Sequence, residues 1–314
     1  MSKERIAWVD LLRTIGILAV ILGHFASPCS SWIYSWHMPF FFFLSGFFAL
    51  RTNVNTSHIV GAAQKLMLPY FLFSGIAVTI EFAKHFFLHK PALDYGYLAS
   101  AILWKMDLPA LLQTYGFVLW FLPTLFFARI YYSLCTQFIS NATIRYAIIA
   151  LLFIVGLRIE LPFAMDNAAV AVLWLSAGSL CYHMRPNRYL AMAMLILIVG
   201  ISLWIGIPVQ DFAEKYFANL PINIAYSFAC CYLLLYLAQQ ITIPESIKPL
   251  IAQWGGNTMI LLILHPYTNN ITHLFVNHFW GGFWILKFFL SLLLLQLVLL
   301  LKQKHPRFWI FRYV

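Results

Sequence analysis

What this sequence has least of is charge, and above all negative charge: ten Asp and Glu against twenty Lys and Arg in 314 residues. A soluble domain carries about 25% charged and about 45–50% apolar residues. Here the charged share is 10% and the hydrophobic share 62%. No soluble fold hides that much apolar surface, so the chain reads as an all-α polytopic membrane protein. The formal net charge of +10 would suggest nucleic acid on a soluble chain. On a membrane chain it fits the bias of Lys and Arg toward cytoplasmic loops and anionic head groups. Membrane lipid is therefore an expected partner and nucleic acid is not.

Other absences narrow the field. The five cysteines make no disulfide framework: Cys135, Cys181, Cys230 and Cys231 lie in or beside apolar runs, and Cys29 stands alone in a short loop. They read as small core residues. No Cys/His cluster has metal-site spacing, so no metal is expected. No Gly-rich phosphate loop, internal repeat or low-complexity tract is present. The first apolar run carries Asp10 and Arg13, unlike a signal-peptide core. Residues 1–314 are expected to form a single integral-membrane domain with no appended soluble domain.

What is there in quantity is apolar runs near spanning length, about 17–25 residues. Ten can be marked: Ile6–Phe25, Trp32–Leu50, Leu66–Phe86, Tyr115–Leu134, Thr143–Val155, Ala168–Tyr182, Tyr189–Ile207, Leu220–Gln240, Thr258–Asn277 and Phe283–Leu301. With the N-terminus inside, inner segments hold Lys3, Arg5, Arg51, Lys65, Arg145, Arg185, Arg188, Lys248, Lys302, Lys304, Arg307 and Arg312. Outer loops hold Lys84, Lys90, Lys105, Arg158 and Lys215. The excess predicts a bundle of about ten transmembrane helices with both termini cytoplasmic. The loop from Phe87 to Thr114 is amphipathic in places and suits the membrane interface.

Against this background, an ionisable side chain inside a span is a functional candidate, because it costs several kcal/mol in lipid. Asp10, Arg13 and His24 all lie in the first run, "WVDLLRTIGILAVILGH". Asp10 and Arg13 are one turn apart and can pair. From Arg13 to His24 is about three turns, so His24 returns to within roughly 20° of the Arg13 direction, about 16 Å further along the axis. Gly16 and Gly23 are small residues on this helix. His37 opens the second run, "WHMPFFFFLSG", with Pro39 suited to a first helical turn and Ser45 and Gly46 small enough for close helix approach. Further along come Glu81, Trp120 and Pro123, then Arg129. Asn257 follows two glycines as a candidate N-cap, and His265 precedes Pro266 near mid-span, where the proline can free a backbone carbonyl. The plain alternatives are interface snorkelling for Glu81 and Arg129 and a hydrogen-bonded core histidine for His265.

These stretches resemble the membrane-bound acyltransferase 3 family. "VDLLRTIGILAVILGH" is similar to its first-helix motif and "WHMPFFFFLSGFF" to its second. "KLMLPY", "LWFLPTLF", "LSAGSLCY" and "WGGNTMILLILHP" resemble looser signatures, the last three most like those of the fucose 4-O-acetylase-like branch. The resemblance implies a multi-pass enzyme of the bacterial inner membrane. It would move an acetyl or other short acyl group from cytoplasmic acyl-CoA, as co-substrate and not a bound cofactor, to a hydroxyl of an envelope glycan or lipid-linked saccharide. It implies His24 and Arg13 as the first-helix pair and His37 as the second-helix histidine, with His265 a looser match.

The chemistry agrees. Acyl transfer to a hydroxyl needs a base, oxyanion stabilisation and a held thioester. His24 is the expected base, and His37 or His265 would orient the acceptor or donate to the oxyanion. Arg13 would bind acyl-CoA or pair with Asp10. Arg51, Lys65, Arg129 and Arg145 are candidates for the nucleotide end of CoA, and Glu81, Trp120 and Asn257 for substrate contacts. The rival from another class is a transporter or flippase of a lipid-linked glycan.

Overall fold

The computed structural model describes residues 6–48, 55–184, 186–280 and 283–313. Lys3, Arg5, Arg51 and Arg185, counted above, and Leu50 at the expected end of the second span lie outside the described residues. The chain runs through α1 (Ala7–Gly23), α2 (Ser30–Tyr34), α3 (His37–Phe47), α4 (Thr56–Phe87), α5 (Tyr95–Ser100), α6 (Leu108–Leu111) and α7 (Phe121–Phe138). It continues with α8 (Ala142–Gly156), α9 (Met165–Met184) and α10 (Arg188–Ile205), then a two-stranded hairpin of β1 (Gln210–Asp211) and β2 (Tyr216–Phe217). Then follow α11 (Leu220–Gln240), α12 (Lys248–Gly256), α13 (Thr258–Trp280), α14 (Trp284–Lys304) and a short 3-10 turn, Trp309–Arg312.

Among the described residues, six helical stretches are long and apolar enough to cross a membrane: Thr56–Phe87, Tyr115–Phe138, Pro162–Met184, Arg188–Ile205, Leu220–Gln240 and Trp284–Lys304. The protein is thus a helical, multi-pass membrane protein. α1 has 17 residues and α8 has 15. α13 has 23 but interleaves His, Thr and Asn with its apolar residues.

His37 opens the helix of the second expected span, as the sequence indicated, but the run marked before it is separate. Its marked start, Trp32, lies in the five-residue α2, and α3 starts separately at His37. Pro39 is the reason: it has no N–H for the Ser35 carbonyl four residues back. That carbonyl instead accepts from the Gln210 side-chain amide at 2.7 Å.

Asparagine starts many of these helices. The Oδ1 atoms of Asn55, Asn141, Asn187 and Asn219 accept from the backbone N–H three residues on, satisfying donors that a helix leaves unpaired in its first turn. In lipid such orphans are costlier still, since no water replaces the missing partner.

The chain folds as two compact units. One comprises Met1–Phe41, Arg185–Gln210 and Phe217–Val314; the other comprises Phe42–Met184 and Asp211–Tyr216. In the first, α1 packs against α11, α12 and α13, α10 against α11, and α13 against α14. Ile17, Val20, Ile21 and Phe25 meet Trp254, Ile260, Leu261, Leu295 and Leu299 in its core. Gly16 admits the Phe40 and Phe41 rings, and Gly23 lies against Ile33. In the second, α9 packs against α7 and α8, and α4 against α7. Phe212 stacks on Phe42 and Trp120, with ring centroids 5.1 and 6.3 Å away.

Candidate functional site

The first unit brings three histidines into one neighbourhood, and in each the backbone decides the state of the ring. α1 ends at Gly23, so its last carbonyls lack helical partners, and the His24 Nδ1 bonds the Val20 carbonyl at 2.8 Å. α2 ends at Tyr34, and the His37 Nδ1 bonds the Ile33 carbonyl at 2.8 Å. Pro266 cannot donate to Leu262, and the His265 Nδ1 bonds that carbonyl at 2.7 Å. A carbonyl only accepts, so each Nδ1 carries a hydrogen. The neutral ring is then the Nδ1–H tautomer, with the basic lone pair on Nε2. The HP pair at 265 thus does what its sequence suggested: the proline frees a carbonyl and the neighbouring histidine takes it.

The His24 and His265 rings meet edge to face, with centroids 4.8 Å apart. Tyr34 lies by the other pair, 6.4 Å from the His24 ring and 5.1 Å from that of His37. Their burial differs sharply. His24 is exposed, whereas His37 and His265 keep 4% and 0% of their surface. The Nε2 of His265 has no hydrogen-bond partner, and an unmet buried group of this kind costs about 1–3 kcal/mol. The arrangement presents one exposed imidazole, that of His24, beside two buried ones. Among the described residues no group of three or more His, Cys, Asp or Glu side chains could hold a metal ion.

Beyond His265, α13 and α14 share a polar seam that the sequence reading passed over. The Ser291 hydroxyl donates to the Asn269 Oδ1 at 2.7 Å and lies 2.8 Å from the Thr268 hydroxyl. The Asn269 Nδ2 is buried without a partner. Lys287 is 7% exposed and sits 3.2 Å from the His273 Nδ1. Its signal was legible: a lysine four residues into an apolar run.

The opposite end of α1 holds Asp10 and Arg13. Asp10 is buried and Arg13 half-buried. α12 lies directly on this turn, since a Cβ on Gly255 would come within 2.4 Å of the Asp10 carbonyl oxygen. The Thr14 hydroxyl reaches the Asp10 carbonyl at 2.8 Å and that of Ile251 at 3.2 Å. The Asn257 side chain does not cap α13 as expected. Its Nδ2 donates to the Gln253 carbonyl at 2.6 Å, and its Oδ1 accepts from the Lys302 Nζ at 2.7 Å. An ammonium is a stronger partner than an amide N–H.

The remaining candidates belong to the second unit. Glu81 is buried and ion-paired to Lys84 at 2.8 Å. Trp120 is buried in the aromatic cluster around Phe212. Arg129 is exposed, and its Nε donates to the Ser45 hydroxyl at 3.0 Å. A buried ion pair that the sequence did not single out, Asp166 with Lys215, also lies here.

A family model described as an acyltransferase domain matches residues 6–314. Against curated proteins and against solved structures the chain gives no significant match.

Proposed function

Because the chain belongs to the acyltransferase 3 family, whose model spans it almost end to end, we propose that it moves an acetyl or other short acyl group from cytoplasmic acyl-CoA to a hydroxyl of an envelope glycan or lipid-linked sugar. In this reading it crosses a bacterial inner membrane about ten times with both termini in the cytoplasm. The single observation that supports it most is the Nδ1–H tautomer of three adjacent histidines, which leaves the Nε2 lone pair of each without a hydrogen.

His24 is the general base, because its ring is the exposed one. Its Nε2 takes the proton of the acceptor hydroxyl while the oxygen bonds to the thioester carbonyl carbon. The C–S bond then breaks, and the proton on Nε2 passes to the departing thiolate. Ester and free CoA thiol are formed with no net proton gained or lost. His37 and His265 sit behind the base, and Arg13 holds the acyl donor on the Asp10 side. Imidazole suits the proton step because it titrates near neutrality, and such a base contributes about 10²–10⁴ in rate.

The test is transfer of label from radiolabelled acetyl-CoA to extracted envelope glycans, comparing wild type with His24→Ala at matched expression. The expected outcome is a labelled glycan with wild type and at least about a hundredfold less with the variant. Equal labelling would keep the enzyme and remove His24 from the role. No labelling by folded wild-type protein would turn the reading toward a transporter of lipid-linked glycans.

A further inference from the structure

The seam between α13 and α14 changes character along its length. On α14 the buried positions are Lys287, Ser291, Leu295 and Leu299, one turn apart. Leu295 and Leu299 join the apolar core, whereas Ser291 and Lys287, nearer the α13–α14 connection, face polar residues of α13. His265, Asn269 and His273 follow one another at four-residue spacing on one face of that helix. Polarity therefore begins at His265 and runs away from the Asp10 end of the unit.

Two atoms on this face lack partners. His265 presents a bare Nε2 acceptor, and Asn269 a bare amide end. The Ser291 hydrogen is committed to Asn269 and the Thr268 hydroxyl also reaches the His265 carbonyl at 3.1 Å, so the seam itself cannot satisfy them. Whichever way the Asn269 amide is turned, one end stays unmet. One acceptor beside one amide end suits hydroxyl groups, which both donate and accept.

Lys287 adds charge. Among the described residues no carboxylate pairs with it, and buried cations are otherwise paired. Its Nζ lies 3.2 Å from the His273 Nδ1. The Asn277 Nδ2 lies 2.8 Å from the His273 Nε2. Lys287 thus has N–H groups beyond this one contact. His273 and Asn277 are exposed, so the charged end of the seam reaches the surface.

We propose that this seam is the acceptor subsite and that Lys287 recognises an anionic group on the acceptor. The acceptor is an acidic saccharide whose carboxylate or phosphate lies about 12 Å from the hydroxyl that is acylated, the rise from His265 to His273. This rests on the transferase reading above.

The test is thermal unfolding of the full chain in detergent, titrated with glucose, glucuronic acid and glucose 1-phosphate at matched ionic strength. Wild type is expected to rise by about 3 °C near saturation with one or both acidic sugars and not with glucose, and the responding sugar tells carboxylate from phosphate. The rise is expected to persist in Lys287→Arg and to vanish in Lys287→Gln. An equal rise with glucose, no rise with either acidic sugar, or a rise retained by Lys287→Gln would overturn the proposal. Should Lys287→Gln fail to fold, the wild-type comparison still decides. Failure of acyl transfer would remove the enzymatic reading and leave this binding result standing, so the two are separable.

Discussion

At the scale of single residues, the three histidines share one device. At His24 and His265 a helix end or a proline leaves a carbonyl open and the ring Nδ1 fills it, while at His37 the ring shares the Ile33 carbonyl with the Trp36 N–H. In water imidazole has no such constraint, so the Nδ1–H form should stand out spectroscopically. ¹⁵N NMR of histidine-labelled protein, assigned by subtracting His24→Ala, His37→Ala and His265→Ala, is expected to show all three neutral rings protonated at Nδ1. A ring protonated at Nε2 for His24 would remove it as the base. The identity of these residues was legible because ionisable groups are rare in apolar runs. Their tautomer was legible only at His265, where the adjacent proline announces the free carbonyl. For His24 and His37 it depends on where α1 and α2 stop, which periodicity does not resolve. Lys287 escaped notice because it lies in a run whose other residues are so apolar that the whole reads as lipid-facing.

At the scale of elements, close backbone approaches explain several motif glycines. A Cβ on Gly178 would stand 1.8 Å from the Phe43 carbonyl oxygen, and one on Gly46 the same distance from that of Leu175. α3 and α9 therefore touch main chain to main chain, as small residues permit in membranes. Gly178→Ala is expected to destabilise by at least about 1–3 kcal/mol, lowering the melting temperature by on the order of 5 °C. An unchanged melting curve in detergent would mean the helices do not meet as described. The sequence marked the small residues but not their partners, because a glycine says that something comes close and not what. It likewise marked the apolar run at Trp32 but missed its division into α2 and α3, since hydropathy is blind to the hydrogen bond that Pro39 removes.

At the scale of the whole molecule, the charge bias predicts that the loop holding Cys29 faces outward. Cys29 is exposed while the other four cysteines are buried, so it is a native reporter of sidedness. A membrane-impermeant maleimide applied to intact cells is expected to label it, whereas Asn53→Cys should be labelled only after permeabilisation. Reaction of Cys29 only after permeabilisation would reverse the proposed orientation. Membrane class was legible because composition alone forbids a soluble core. The direct ring contact of His24 with His265 was not, because α13 comes to α1 from more than two hundred residues away.

The 32-residue α4 has a further consequence. At 1.5 Å per residue it is about 48 Å long, well beyond the roughly 30 Å of hydrocarbon in a bilayer. Lys65 and Lys84 stand nineteen residues apart on it, about 28 Å, close to that thickness. If each ammonium rests at a water boundary, α4 stands nearly upright with its first turns clear of the lipid. The chain then carries its own depth gauge, and thicker or thinner bilayers would register as tilt in this one rod.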